Sequence, residues 1–272
     1  MSNFDPKTKK YPYPDKTDKH YLKIKKNKGI IFDEKYPYID KSRSFLFKQK
    51  LIRFLLVTIV FPFSRIKMGL KIKGKENLDK NIIKNGVISC SNHIHMWDYI
   101  AIMKSIRPIK PYMLVWDKNV NGENGFLVRM VGGIPIPSNP KAVICQMRQI
   151  KEMLNNSGWL HIYAEGAMWE YYYPIRPFKR GVAFYAIRFN KPIIPFAFSY
   201  RKPSWIRKHI FRQPAAITLN IGAPIFKDES LSKEDMELDL TKRCHAEVCR
   251  LASIDNNIYP PIFNEDNKID YY

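Results

Sequence analysis

Short apolar runs alternate with segments of helical period along most of this chain. Val87 to Cys90, Tyr112 to Val115, Trp159 to Tyr163, Ile193 to Ser199 and Ala216 to Ile221 have strand length and composition, and Leu70 to Gly74 alternates apolar with polar. Between them, Asp98 to Ile106, Gly125 to Met130, Gly181 to Phe189 and Ser230 to Ala252 read as helices, the second stopped by Gly132-Gly133. Pro140 to Asn155 is a longer amphipathic helix with proline in its first turn. Strands that alternate with helices predict an α/β fold: a mixed, largely parallel central sheet with helices on both faces. There is no internal repeat.

The N-terminal part has a different texture. Residues 1–42 are rich in Lys, Asp, Tyr and Pro, with Tyr-Pro at Tyr11-Pro12, Tyr13-Pro14 and Tyr36-Pro37, and read as an extended basic arm. Residues 43–68 read as an amphipathic, membrane-associated helix whose regular part ends at Pro62, and residues 69–272 as the main domain. The longest apolar stretch, Phe54 to Phe63, has ten residues, where a spanning helix needs about 20. Its flanks carry Lys48, Lys50, Arg53, Arg65 and Lys67. Such a segment fits a helix lying among lipid headgroups, or a buried core helix.

Charge narrows the partners. With 46 basic and 25 acidic side chains the formal net charge is +21. That excess points to an anionic membrane surface, nucleic acid or phosphorylated substrates, although a lysine-rich proteome contributes. No zinc, RNP-like or helix-turn-helix signature supports nucleic acid. The four cysteines, Cys90, Cys145, Cys244 and Cys249, have no metal-ligand spacing, so no metal site is expected. The polar, lysine-rich start carries no signal peptide, and a reducing cytoplasm is the default expectation.

Chemistry concentrates in four blocks. Ser91-Asn92-His93-Ile94-His95-Met96-Trp97-Asp98 follows a strand and opens a helix. A histidine in the loop and an aspartate in the first helical turn can meet, giving a general base with an orienting carboxylate for which a substrate hydroxyl replaces serine. His95, three residues from Asp98, is an alternative partner, and Asp98 as a plain helix cap is another reading. Gly125-Phe-Leu-Val-Arg129 with Gly132-Gly133-Ile134-Pro135-Ile136 offers close backbone approach and an arginine for an anion. Tyr163-Ala164-Glu165-Gly166 puts a carboxylate at a strand end, where open sheets hold ligands. Phe178-Lys179-Arg180-Gly181 sets two cations before a helix N-terminus, a site for phosphate.

In this order and spacing, with Pro192-Ile-Ile-Pro195 and Gly222-Ala-Pro224 following, residues 70–224 resemble the glycerolipid acyltransferase family, whose type members acylate 1-acylglycerol-3-phosphate. The resemblance implies a peripheral-membrane O-acyltransferase in which His93 is the general base and Asp98 orients it. Arg129, Lys179 and Arg180 would bind phosphate, while Glu165 and Gly166 would shape the acceptor site. It implies no cofactor: acyl-CoA or acyl carrier protein is the acyl donor substrate. The expected partners are that donor, a lysolipid acceptor and an anionic membrane surface, without nucleic acid. The expected location is the cytoplasmic face of the cell membrane.

The chain departs from the family pattern at two points. Glu-Gly-Thr-Arg is altered to Glu165-Gly166-Ala167-Met168, and the arginine that often follows Ile134-Pro135-Ile136 is replaced by Pro137-Ser138-Asn139. Both changes remove anion ligands, and charge-assisted phosphate contacts are strong. Either Arg176 compensates or the acceptor lacks a phosphomonoester, as a glycolipid does. The insert Trp169-Glu-Tyr-Tyr-Tyr-Pro174 would then stack on a sugar or sit at the lipid interface. A lipid-binding protein of the same fold without activity is the remaining alternative.

Overall fold

The computed structural model describes residues 5–21, 23–24 and 27–263. Residues 1–4, 22, 25 and 26 of the expected arm and 264–272 of the expected main domain lie outside the described residues.

A 3-10 turn at Pro6–Thr8 is the regular element of an otherwise irregular N-terminal segment. Helix α1 (Arg43–Leu55) starts at Ser42, whose hydroxyl accepts from the Phe45 N–H. It runs through a π-helical turn, Leu56–Val60, into α2 (Phe61–Lys67). Pro62 was expected to end the regular part. Helix continues past it because the ring falls at the start of α2, directly after the wide π turn, where an absent N–H costs little.

The chain then lays down β1 (Lys71–Lys73), α3 (Lys80–Lys84), β2 (Val87–Ser91), α4 (Asp98–Ser105), β3 (Pro111–Trp116), α5 (Asp117–Asn121) and α6 (Gly125–Met130). There follow β4 (Gly133–Ile136), α7 (Pro140–Asn155), β5 (Trp159–Tyr163), α8 (Gly181–Phe189), β6 (Ile193–Arg201), α9 (Trp205–His209), β7 (Ala216–Ile221) and α10 (Lys233–Leu251). Asn139 caps α7, its side chain accepting from the Lys141 N–H, with Pro140 in the first turn.

The strands form one sheet in the order β1-β7-β6-β2-β5-β3-β4. All neighbours are parallel except β6 and β7. The expected mixed, largely parallel sheet is therefore present. Strand side chains alternate between two cores. Ile88, Cys90, Leu160, Ile162, Ile193 and Ala197 join α7, α8 and α10 on one face. Val87, Trp159, Ile194, Phe196 and Phe198 join α2 and α4 on the other.

Topology marks one place in this sheet. The crossover from β2 leads two positions one way, to β3, and the crossover from the adjacent β5 leads two positions the other way, to β6. Two neighbouring strands whose connections diverge leave a crevice at their carboxyl ends, where open α/β sheets hold ligands. Ser91 and Tyr163 are paired in register at those ends.

Candidate active site

The loop between β2 and α4 carries His93, and Asp98 is the first residue of α4. The Asp98 carboxylate is fully buried, and its Oδ2 accepts from three donors: the His93 ring Nδ1 at 3.0 Å, the Ile94 N–H at 2.7 Å and the His95 N–H at 3.0 Å. A carboxylate accepts only, so Nδ1 carries a proton, and in the neutral ring the lone pair is then on Nε2. Free N–H groups at a helix start favour this anion. The His93 ring stacks on Tyr163, with centroids 3.7 Å apart and planes 12° apart, and its side chain stays 22% exposed. Ring, tautomer and exposure thus suit proton exchange at Nε2.

His95 is not held in that way. It gives Asp98 only its backbone N–H, while its own Nδ1 accepts from the Trp97 N–H at 3.0 Å. Burial lowers its pKa, opposed by Asp98 and Glu170.

Glu165, just beyond β5, was expected to face an acceptor. Its carboxylate is instead buried and committed to the protein. Oε2 accepts from the His93 backbone N–H at 2.8 Å and from Arg176 Nη2 at 2.7 Å; Oε1 accepts from the Arg176 N–H at 2.8 Å. The physical reason is the counter-charge, since a guanidinium as buried as Arg176 needs a carboxylate beside it. Arg176, the candidate replacement phosphate ligand, also donates to the carbonyls of Thr17 and Ala167 and stacks on Trp169. It is a structural cation. Gly166 has φ +77°, and a Cβ there would press on the Lys179 side chain at 3.0 Å, so this turn needs glycine.

The aromatic insert is likewise internal. Trp169, Tyr171 and Tyr172 are buried, and the Trp169 and Tyr171 N–H groups bond to the carbonyls of His93 and Ile94. The expected sugar platform or lipid-interface cluster is thus a brace that fixes the backbone of the His93 loop.

Lys179 lies in the bridge that returns the chain to α8. Its N–H donates to the Ala164 carbonyl, and its Nζ lies 3.4 Å from Asp18 Oδ2. Arg180 occupies the N-cap position of α8. Arg129 is some way along the sheet edge and holds the arm: Nη1 donates to the carbonyls of Tyr38 and Gly133, and Nη2 donates to that of Pro37. It also borders a cavity of about 430 Å³ lined by Tyr36, Phe45, Lys48 and Phe126. Among the described residues no hydrogen bond joins Arg129 or Arg180 to the His93–Asp98 pair.

Some site residues went unrecognised in the sequence. Below Tyr163, His161 is buried, its Nδ1 2.9 Å from Ser89 Oγ and its Nε2 3.3 Å from Ser91 Oγ. Burial, with help from the nearby His93, pushes its pKa down to about 3. Period-two spacing of Trp159, His161 and Tyr163 on β5 was the available signal. The arm gave none. Its Lys19 carbonyl accepts from Trp169 Nε1, and the His20 ring stacks on Trp116 at 4.2 Å. The arm therefore closes over one side of the site.

No curated protein matches the chain. Among solved structures it is similar to PlsC, the 1-acyl-sn-glycerophosphate (LPA) acyltransferase from Thermotoga maritima. The two share 16% identity and a TM-score of 0.49 over 79% of this chain and 85% of that one. The family model described as Acyltransferase matches residues 69–199, the span that holds His93, Asp98, Glu165 and Lys179. The chain thus contains a span, residues 69–199, that is similar to the acyltransferase family.

Proposed function

We propose that this protein is a peripheral-membrane O-acyltransferase. It moves a fatty acyl group from acyl-CoA or acyl carrier protein to a hydroxyl of a lysophospholipid such as 1-acylglycerol-3-phosphate. The observation that carries the reading is the His93–Asp98 pair: a partly exposed imidazole whose Nδ1 is bonded to a buried carboxylate, inside the matched domain. In the proposed reaction Nε2 takes the proton of the acceptor hydroxyl as its oxygen attacks the thioester carbonyl. Collapse of the tetrahedral intermediate breaks the C–S bond, and the departing sulfur takes the proton back from Nε2. No acyl-enzyme is required. The buried thiols would make poor nucleophiles, since burial pushes Cys249 up to about 11 and the Cys244 neighbour with burial pushes Cys90 well above its ordinary value.

Membrane association is supported by exposed apolar residues along α1, the π turn and α2, among them Phe47, Phe54, Ile59 and Ile66. The chain from residue 41 to 75 contains no acidic side chain. No helix among the described residues is long and apolar enough to cross a membrane. The proposed location is the cytoplasmic face of the cell membrane.

A second acceptor class has specific support. Arg176 is consumed by Glu165, and Lys179 is paired with Asp18, so two cations beside the site already have internal partners. An acceptor without a phosphomonoester, such as a glycolipid, fits that balance.

The test is turnover of long-chain acyl-CoA with a panel of lysolipids and glycolipids, products read by mass. His93→Ala is expected to lose about 10²–10⁴-fold in acyl transfer while its melting temperature stays near that of the parent. Wild-type-like turnover in that variant would end the mechanism. Tight lipid binding without any thioester turnover by the parent would make the chain a lipid-binding relative.

A further inference from the structure

β6 and β7 are antiparallel neighbours, a pairing that about two to five residues can connect. Here the connection occupies residues 202–215 and contains α9. Ser204 caps that helix, its hydroxyl accepting from the Arg207 N–H. The excursion buries little of its apolar surface: Trp205 is 69% exposed, Ile206 53% and Ile210 62%. Arg201, Lys202, Arg207, Lys208 and Arg212 accompany these residues, and no acidic residue occurs from 201 to 216.

The excursion is not loose. Arg207 Nε donates to the Ile66 carbonyl at 3.0 Å and Nη2 to the Arg65 carbonyl at 3.4 Å, closing the end of α2. Phe211 meets Phe63 edge to face at 6.0 Å. Gln213 accepts from the Tyr171 hydroxyl at 2.7 Å, behind the His93 loop. Helix α2 is also tied to that loop: Phe63 lies 6.1 Å from Trp97, and Lys67 Nζ sits over the same indole at 4.7 Å. The excursion is thus joined to α2 through Arg207 and Phe211 and stands beside the loop that carries the proposed base.

We infer that α9 is a second membrane foot, inserting Trp205, Ile206 and Ile210 into an anionic phospholipid surface while its cations engage the headgroups. Tryptophan and isoleucine rimmed by cations are the side chains that such an interface accepts. The charge argues against a second copy of this chain, because two surfaces rich in Lys and Arg would then face each other. The inference rests on the membrane reading above and adds a surface to it: the protein stands on α1–α2 and α9 together, with the His93 loop between the two supports and the domain.

The test uses the full chain and vesicles of phosphatidylcholine, alone or with a third phosphatidylglycerol. The triple variant Trp205→Ser/Ile206→Ser/Ile210→Ser changes exposed positions and should keep the parent's melting temperature. It is expected to lose roughly tenfold or more in partition onto the anionic vesicles. Brominated lipid should quench a component of the parent's fluorescence that is missing from Trp205→Phe. Partition equal to the parent's, with no quenching difference, overturns the foot while the membrane reading survives. A parent that ignores anionic vesicles overturns both. A triple variant that changes the sedimentation mass but not vesicle partition makes the surface a contact between copies and overturns the lipid assignment.

Discussion

At the carboxyl ends of β2 and β5 most polar groups find partners within the chain, Asp98 Oδ1 and the Tyr163 hydroxyl excepted; along α1, α2 and α9, apolar groups do not. Asp98 Oδ2 takes three donors and Glu165 takes three, all from the protein. Phe47, Phe54, Ile59, Trp205 and Ile210 face solvent amid cations that have no acidic neighbour in sequence. A contiguous exposed apolar surface of this kind marks an interaction site rather than a surface at rest. The first region holds its charged groups by bonds within the molecule, and the second is completed from outside. That difference separates two tasks: the sheet end holds reactive groups in a fixed geometry, and the helical surface selects where the molecule works. The two regions meet at Trp97, which lies in the His93 loop and contacts both Phe63 and Lys67.

If the sheet end is wired as described, its most sensitive point is Arg176. Arg176→Met would leave the buried Glu165 carboxylate without its counter-charge and remove the Nη2 donor to its Oε2, so that only backbone N–H groups would hold it. The expected loss is about 3–5 kcal/mol in urea unfolding, since breaking one side of a buried pair leaves an uncompensated charge. Adding Glu165→Gln should recover part of it. The triple change on α9 should cost little stability, because those side chains touch mostly solvent. Comparable unfolding losses from both sets of changes would erase the contrast.

How much of each region could be read in advance follows the same division. The His93–Asp98 pairing was legible because its members are five residues apart and the strand–loop–helix context between them is local. The α7 and β5 boundaries were legible for the same reason, fixed by Asn139-Pro140 and by a short apolar run. The expected acceptor role of Glu165 missed its burial, since the partner Arg176 lies across an insert whose path no local pattern fixes. The arm's position over Trp169 and Trp116 is set by tertiary contacts 150 residues apart for Lys19 and about a hundred for His20. The residue period also left open whether the basic-flanked apolar helix was core or surface. Exposure on the folded chain resolved that.

Acid should find the sheet end before the helical surface. The buried His161 titrates at about 3 and His245, pushed down by burial, at about 4. Both lie below the value near 6.5 of an unfolded histidine. The unfolded chain therefore takes up these protons first. Stability from keeping the rings neutral is full above about pH 6.5 and is lost as pH falls towards the folded values, by up to about 1.4 kcal/mol per pH unit for each ring. Urea midpoints measured from pH 7 to pH 4 should fall accordingly, and His161→Gln should flatten the curve by one ring's share. An unchanged slope in that variant would remove the buried imidazole from the account.

The smallest expected effect asks to which region the arm belongs. Asp18 and Lys179 are 3.4 Å apart with side chains 30% and 25% exposed, so their pairing is worth at most about 1 kcal/mol. Asp18→Asn should accordingly leave the melting temperature within a degree or so of the parent. If the arm is part of the site, releasing Lys179 should raise kcat/KM for a phosphomonoester lysolipid by roughly two- to fivefold and leave a neutral glycolipid acceptor unaffected, because only the charged headgroup competes for the ammonium. Equal changes for both acceptors would mean that Asp18 merely pins the arm to the surface. No change for either would place the Lys179 ammonium outside the acceptor's reach, and the cation that meets the headgroup would then have to be sought at Arg180 or along the cleft beside Arg129.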